Sequence, residues 1–275
     1  MKGRSGRDLC IRAMLGILVL FGIPTAVGAQ SVSGDHRLMR IDNFVRDAAL
    51  VRSVWLEIRG EHADWGDGGN DTRARGLVAF SLADRFELGG SFGYLDRSRS
   101  EDQVLFGRRL SADLSNNGLD DVDLFGKFVF KGPANPWAAG LSLKLPVADD
   151  REGLGSGATD FEAFVANRHN REKWAWTWNA GVRINGDPKQ PGAGSGNTSA
   201  AAGGGFLWRL SYSWIFMAEG RYETRRYDGS DVEFAVAPSL DFRPTENLAL
   251  RLGVEFGLTD GSPNVNYVFG FVFHL

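Results

Sequence analysis

The chain has 275 residues, 43% hydrophobic, 24% charged and 12% aromatic, with a formal charge of −3. That apolar content excludes a disordered chain, and a pI near 5.9 argues against nucleic acid as a partner, because the basic surface that drives phosphate binding is missing. Its 36 glycines, 19 phenylalanines and 8 tryptophans beside 4 methionines and a single cysteine suit a turn-rich β protein better than a helical enzyme.

Residues 1–29 read as a secretory signal. Lys2, Arg4, Arg7 and Arg12 give a basic start, residues 13–23 an uncharged apolar run, and Val27, Gly28 and Ala29 a small-residue cleavage site. Eleven apolar residues before Pro24 fall short of the ~20 a helix needs to cross a bilayer, so cleavage before Gln30 is expected. Losing this segment removes four basic side chains and Asp8, which takes the charge from −3 to −6, and Cys10 leaves with it. A disulfide-free exported chain must draw its stability from a large packed or lipid-facing surface. Residues 30–49 come next; Ile41, Phe44, Val45 and Ala48 share one helical face, which allows a small periplasmic helix or a plug in a lumen.

From residue 50 the hydrophobic pattern has period two. Strands are expected at 50–59, 75–82, 85–95, 120–131, 136–147, 158–168, 173–185, 199–210, 213–223, 232–242, 248–258 and 265–275. The alternation is clearest in the last three, where Phe234, Val236, Leu240 and Phe242, then Leu250, Leu252, Val254 and Phe256, then Tyr267, Phe269, Phe271 and Phe273 interleave with small or charged residues. Strands of ~10 residues are about twice the length usual in a sandwich and suit a membrane barrel with one face to lipid and one to water. The expected fold is all-β, a transmembrane antiparallel up-and-down β-barrel of about 12 strands over residues 50–275.

Connector lengths agree, since such barrels alternate short periplasmic turns with longer external loops. Short turns are expected at 83–84, 132–135, 169–172, 211–212 and 243–247, and longer loops at 60–74, 96–119, 148–157, 186–198, 224–230 and 259–264. Trp137, Trp174, Trp208, Trp214, Phe86, Phe242 and Phe273 gather beside the short turns or the C-terminus, as an interfacial girdle would. The loop acids Glu61, Asp64, Asp67 and Asp71 depart from a calcium-loop spacing and read as a solvated run. The glycine-rich stretch 186–199 lacks the GKS or GKT of a phosphate loop.

With the apolar parity facing lipid, the lumen receives charges of both signs. The candidate pore lining is a basic set, Lys127, Lys144, Arg183, Arg209, Arg221 and Arg251, facing Asp123, Asp160, Glu162, Glu219 and Glu255. A single-sign ring would argue for ion selectivity, whereas mixed charges pair across a narrow barrel and stiffen it. Catalytic patterns are thin: Asp160 and Glu162 share a face as channel-wall acids do, and His36, His62, His169 and His274 lack metal-ligand spacing. No cofactor, metal or enzymatic activity is expected. The sharpest rival is a twelve-strand outer-membrane phospholipase with a lipid-facing serine and histidine; its histidine motif is absent, His169 is expected in a turn, and His274 inward.

Residues 118–130, GLDDVDLFGKFVF, and 141–164, LSLKLPVADDREGLGSGATDFEAF, carry a family likeness. They resemble the outer-membrane transporter family found with the meta-cleavage pathway of phenol degradation, in which a Gly-Asp strand start and a Leu-Pro-Thr-Gly-Asp strand end recur. Here the second motif reads Leu145, Pro146, Val147, Ala148, Asp149, so Thr and Gly are replaced. The resemblance implies uptake of hydrophobic or aromatic compounds across the outer membrane. The last strand is similar to a barrel-assembly signal at Gly270, Phe273 and Leu275, which implies the assembly machinery as a partner beside outer-membrane lipid and a small-molecule solute. The expected function is passive uptake of small molecules, with a non-conducting structural barrel as the alternative and a lipid-modifying enzyme further behind.

Overall fold

The computed structural model describes residues 37, 46–51, 53–66, 69–130, 132 and 134–275, so the expected signal peptide and Ile41, Phe44 and Val45 lie outside the described residues. No helix occurs among the residues described. The strands are β1 (Val54–Gly66), β2 (Gly69–Ala83), β3 (Phe86–Arg99), β4 (Val104–Leu105), β5 (Arg108–Arg109), β6 (Leu114–Leu119), β7 (Val122–Val129), β8 (Trp137–Leu145), β9 (Asp160–Asn170), β10 (Trp174–Ile184), β11 (Thr198–Arg209), β12 (Trp214–Glu223), β13 (Glu233–Thr245), β14 (Leu248–Gly257) and β15 (Val265–His274). β4 and β5 form a small hairpin of their own. β6 and β7 follow one another along β3 as a single interrupted stave. The remaining strands pair with their sequence neighbours, and β1 also pairs with β15, which closes an antiparallel barrel of twelve staves.

The expected strand order and parity hold, and the boundaries differ most at the long-loop end. Residues 60–74, expected as a loop, continue β1 and β2, and β3 runs on to Arg99. Here Glu61, Ala63, Asp71, Leu95 and Arg97 point inward, while the outward positions His62, Asp64, Thr72 and Asp96 are polar. Above the hydrocarbon both faces of a strand meet water, so the hydrophobic alternation fades while the hydrogen-bond ladder continues.

Within the apolar band the outer face carries Phe92, Leu124, Leu141, Val165, Leu252 and Phe269, all exposed. Burying such a surface needs lipid, since scattered exposed apolar residues are ordinary but a continuous belt is not. The start of β1 and the end of β15 meet at one rim, where Val54 N donates to Leu275 O at 3.1 Å. The turns there are short, such as 171–173 and 246–247, and the long connections 146–159, 185–197 and 224–232 leave from the opposite rim. The girdle forms at the short-turn rim: Trp137 meets Trp178 edge-on at 5.4 Å, and Trp214 lies 4.7 Å from Phe242. His169 is a correction, because it falls within β9 rather than in a turn, its ring 6.3 Å from Trp174 and 5.8 Å from Trp176.

The lumen near the short-turn rim is filled by apolar side chains, with Ala175, Leu207, Ile215 and Met217 in one cluster and Ala48, Val129, Ala138 and Ala166 in another. Farther along β9 the Phe164 ring lies over its register partner Gly140 of β8, where a Cβ would stand 2.4 Å from the ring. Only glycine leaves room for that ring.

Candidate functional site: a charged chamber at the long-loop end

Polar parity alone determines what the upper lumen contains. Inward positions of β2 and β3 place Asp71, Arg73, Arg75, Arg97 and Arg99 on one wall, and Asp71 is held by three guanidinium groups: Arg73 at 3.3 Å, Arg97 at 3.1 Å and Arg99 at 2.7 Å. Asp120, in the break between β6 and β7, takes Arg75 at 2.6 Å. Further round, Lys144 of β8 bridges Asp121 and Asp160, Arg183 of β10 bridges Glu162 and Glu223, and Arg221 of β12 pairs with Glu233. Inside a protein such pairs cost desolvation and return it only with good geometry, so their yield is rigidity more than stability.

These residues surround a cavity of about 490 Å³ at the long-loop end, lined also by Trp65, Phe106, Tyr227, Asp231, Asp260 and Asn266. The volume falls in the range of small-molecule sites. Loops narrow its mouth. Phe106, at the tip of the β4–β5 hairpin, packs edge-on against Tyr227 at 5.9 Å, and its carbonyl accepts from Gly194 N at 3.1 Å. Arg108 Nη1 donates to Pro191 O at 2.6 Å. Gly107 makes this approach possible: its φ is +75° and a Cβ would stand 2.0 Å from Asp228 O. Behind Tyr227, burial would pull the Arg226 guanidinium down, and Tyr227, Glu223 and Asp160 more than reverse that, raising it well above its ordinary value and keeping it charged.

Below the chamber the lumen holds Arg37 and residues 46–51. Arg37 pairs with Glu87 of β3, Arg46 with Glu162 of β9, and Arg168 Nη1 donates to Asp47 Oδ2 at 2.6 Å. Lys127 of β7 donates to Asp47 O at 2.6 Å, Val51 N to Glu87 Oε2 at 3.0 Å, and Arg251 of β14 to Arg37 O at 3.1 Å. Burial raises the Asp47 carboxyl, but Arg168, Lys127 and the Ala49 amide outweigh it and leave it below its usual range.

Of the expected pore-lining residues, Asp123, Lys144, Asp160, Glu162, Arg183, Arg221 and Glu255 line the chamber. Lys127 and Arg251 instead hold the N-terminal segment, Arg251 also gripping Asp241 at 2.8 Å. Glu219 faces the lumen below the chamber, and Arg209 lies at the short-turn rim beside the start of β12. Sequence reasoning missed Asp71, Arg73, Arg75, Arg97 and Arg99, which were assigned to loops or strand margins. Their spacing of two along each strand was the available signal.

No protein-family model matches the sequence, and no curated protein does. Among solved structures, the NanC porin superposes with a TM-score of 0.58 at 10% identity, covering 80% of this chain and all of that one. The KdgM porin gives 0.54 at 13% identity, covering 80% and 99%. At these identities the likeness is one of fold: the chain has the β-barrel fold of porins.

Proposed function

We propose that this chain is an outer-membrane channel for passive uptake of small, polar molecules, which enter through the loop-end chamber. The observation that carries the reading is the charge-lined cavity, about 490 Å³, inside a closed barrel whose exterior is apolar. A KdgM porin structure is in complex with disordered oligogalacturonate, a precedent for solute passage in this fold. The proposal takes residues 1–29 as a cleaved signal, lipid as the partner of the outer face, and β15 as the strand engaged by the assembly machinery. It also takes the chain to work without catalysis or cofactor. The transport of hydrophobic or aromatic compounds implied by the resemblance to the phenol-pathway family is a second reading, favoured only by the rings of Trp65, Phe106 and Tyr227 at the chamber wall.

Conductance across a planar bilayer tests the proposal. Residues 30–275 are refolded beside a chain starting at residue 52, with the heat-dependent gel shift of barrels as the folding control. Discrete current steps, larger for the shortened chain, are expected. If both are folded and silent, the barrel is structural; release of fatty acid from phospholipid by the purified protein would overturn the non-enzymatic reading.

A further inference from the structure

The chamber is not electrically balanced. Eight basic and eleven acidic side chains line it, and all eight basic ones lie within ion-pair distance of a carboxylate. Arg46 and Arg59, outside the lining, reach two of the acids, Glu162 and Glu61, and the balance that remains is still carboxylate. Part of it is concentrated on the wall made by β14, β15 and β1, where Glu255 is 2% exposed and, among the described residues, has no cation at ion-pair distance, Arg221 acting on it from farther off. Its one hydrogen bond comes from the neighbouring strand, Asn266 Nδ2 to Glu255 Oε2 at 3.3 Å. The carboxylate thus fixes which end of the amide donates, and the other end, Asn266 Oδ1, is buried with no hydrogen-bond partner. Glu61 lies on the same wall, two residues from Ala63, which is the register partner of Asn266. Among the described residues its ion-pair partner is Arg59, whose Nη1 stands at a long 3.5 Å.

A buried amide oxygen without a donor and a buried carboxyl group with no cation at ion-pair distance are each costly, and here they stand side by side on the chamber wall. Glu255 and Asn266 have no positively charged donor at bonding distance, and Glu61 meets one at long range, Arg59. Among the described residues no group of three His, Cys, Asp or Glu side chains is arranged to hold a metal ion. A primary ammonium has three donors and one charge to meet these acceptors. We infer that Glu255, Asn266 and Glu61 form a subsite for a solute bearing a primary ammonium group. The inference rests on the reading of the chamber as the solute's entry site, and it names the class of solute.

Calorimetric titration of refolded residues 30–275 in detergent tests this without requiring any current. n-Butylammonium is expected to bind, with tetramethylammonium, which has no N–H, and butyrate at least tenfold weaker. Glu255→Gln, which keeps the shape and removes the charge, should weaken n-butylammonium at least tenfold; Asn266→Ser provides the same readout if the first variant does not fold. Equal binding of butyrate, no heat with n-butylammonium, an unchanged affinity in the folded variants, or saturation by calcium alone would overturn the subsite. Current without ammonium binding would overturn this inference and leave the channel standing, whereas ammonium binding by a barrel that never conducts would do the reverse.

Discussion

Arg168 and Asp47 meet at 2.6 Å inside the barrel although 121 positions separate them in the chain. Both are essentially removed from solvent, and with Lys127 and Glu87 they fasten the N-terminal segment across the lower lumen. Asp47→Ala takes the carboxylate away from the buried Arg168 guanidinium, a loss of about 3–5 kcal/mol for a broken buried pair. The variant should fold, keep its heat shift and show a higher open probability in bilayer recordings than the unmodified chain. Unchanged gating would mean that this pair does not hold the lumen shut.

Acid should act on the same contact. The docked Asp47 carboxyl is held below its free value of 3.8, so its contribution to docking is complete above about pH 5 and is lost as pH falls through the docked value. Open probability is expected to be flat from about pH 5 to 8 and to rise below about pH 4. Recordings across that range check the sign, and Asp47→Asn should lose part of the acid rise.

Leu252, 57% exposed in the middle of β14, faces lipid between Leu240 and Phe269. Leu252→Arg places a cation in the hydrocarbon and should destabilise the folded barrel by about 2–4 kcal/mol. Denaturant titration in lipid vesicles reads this directly. A shift near zero would place Leu252 outside the apolar band.

Gly140 permits the Phe164 ring to lie against β8, the neighbouring strand. Gly140→Val forces the ring or the strand to move and should cost about 1–3 kcal/mol, as overpacking does. Unfolding midpoints for Gly140→Val alone and combined with Phe164→Ala test the cause, because the smaller partner should recover most of the loss.

Gly107 is required where the β4–β5 hairpin meets Asp228. Gly107→Val should detach the hairpin from Tyr227 and open the chamber mouth. Faster labelling of a cysteine placed at Ser142, on the chamber wall, by a polar thiol reagent would register the change in residues 30–275, which are otherwise free of cysteine.

The sequence by itself determined the staves and their inside and outside. A strand crossing a bilayer must put apolar residues on every second position, so Phe234, Val236 and Leu240 announce β13 and leave Asp241 inward whatever its neighbours are. Where the strands rise above the lipid this constraint lapses, which is why β1 beyond Arg59, the start of β2 and the Arg97–Arg99 pair passed for loop. The tertiary structure decided which charges meet. Parity says that Arg183 and Glu162 both face the lumen, but their pairing, the gathering of three arginines on Asp71, and the neighbouring amide and carboxylate of Asn266 and Glu255 depend on inter-strand register. The pairing of Asp47 with Arg168 depends on something further still, a segment with no strand pattern lying inside the closed ring. Hydrophobic periodicity is local and survives in one dimension; the partner of a charge is chosen by distance in space, which a barrel sets only when its first and last strands join.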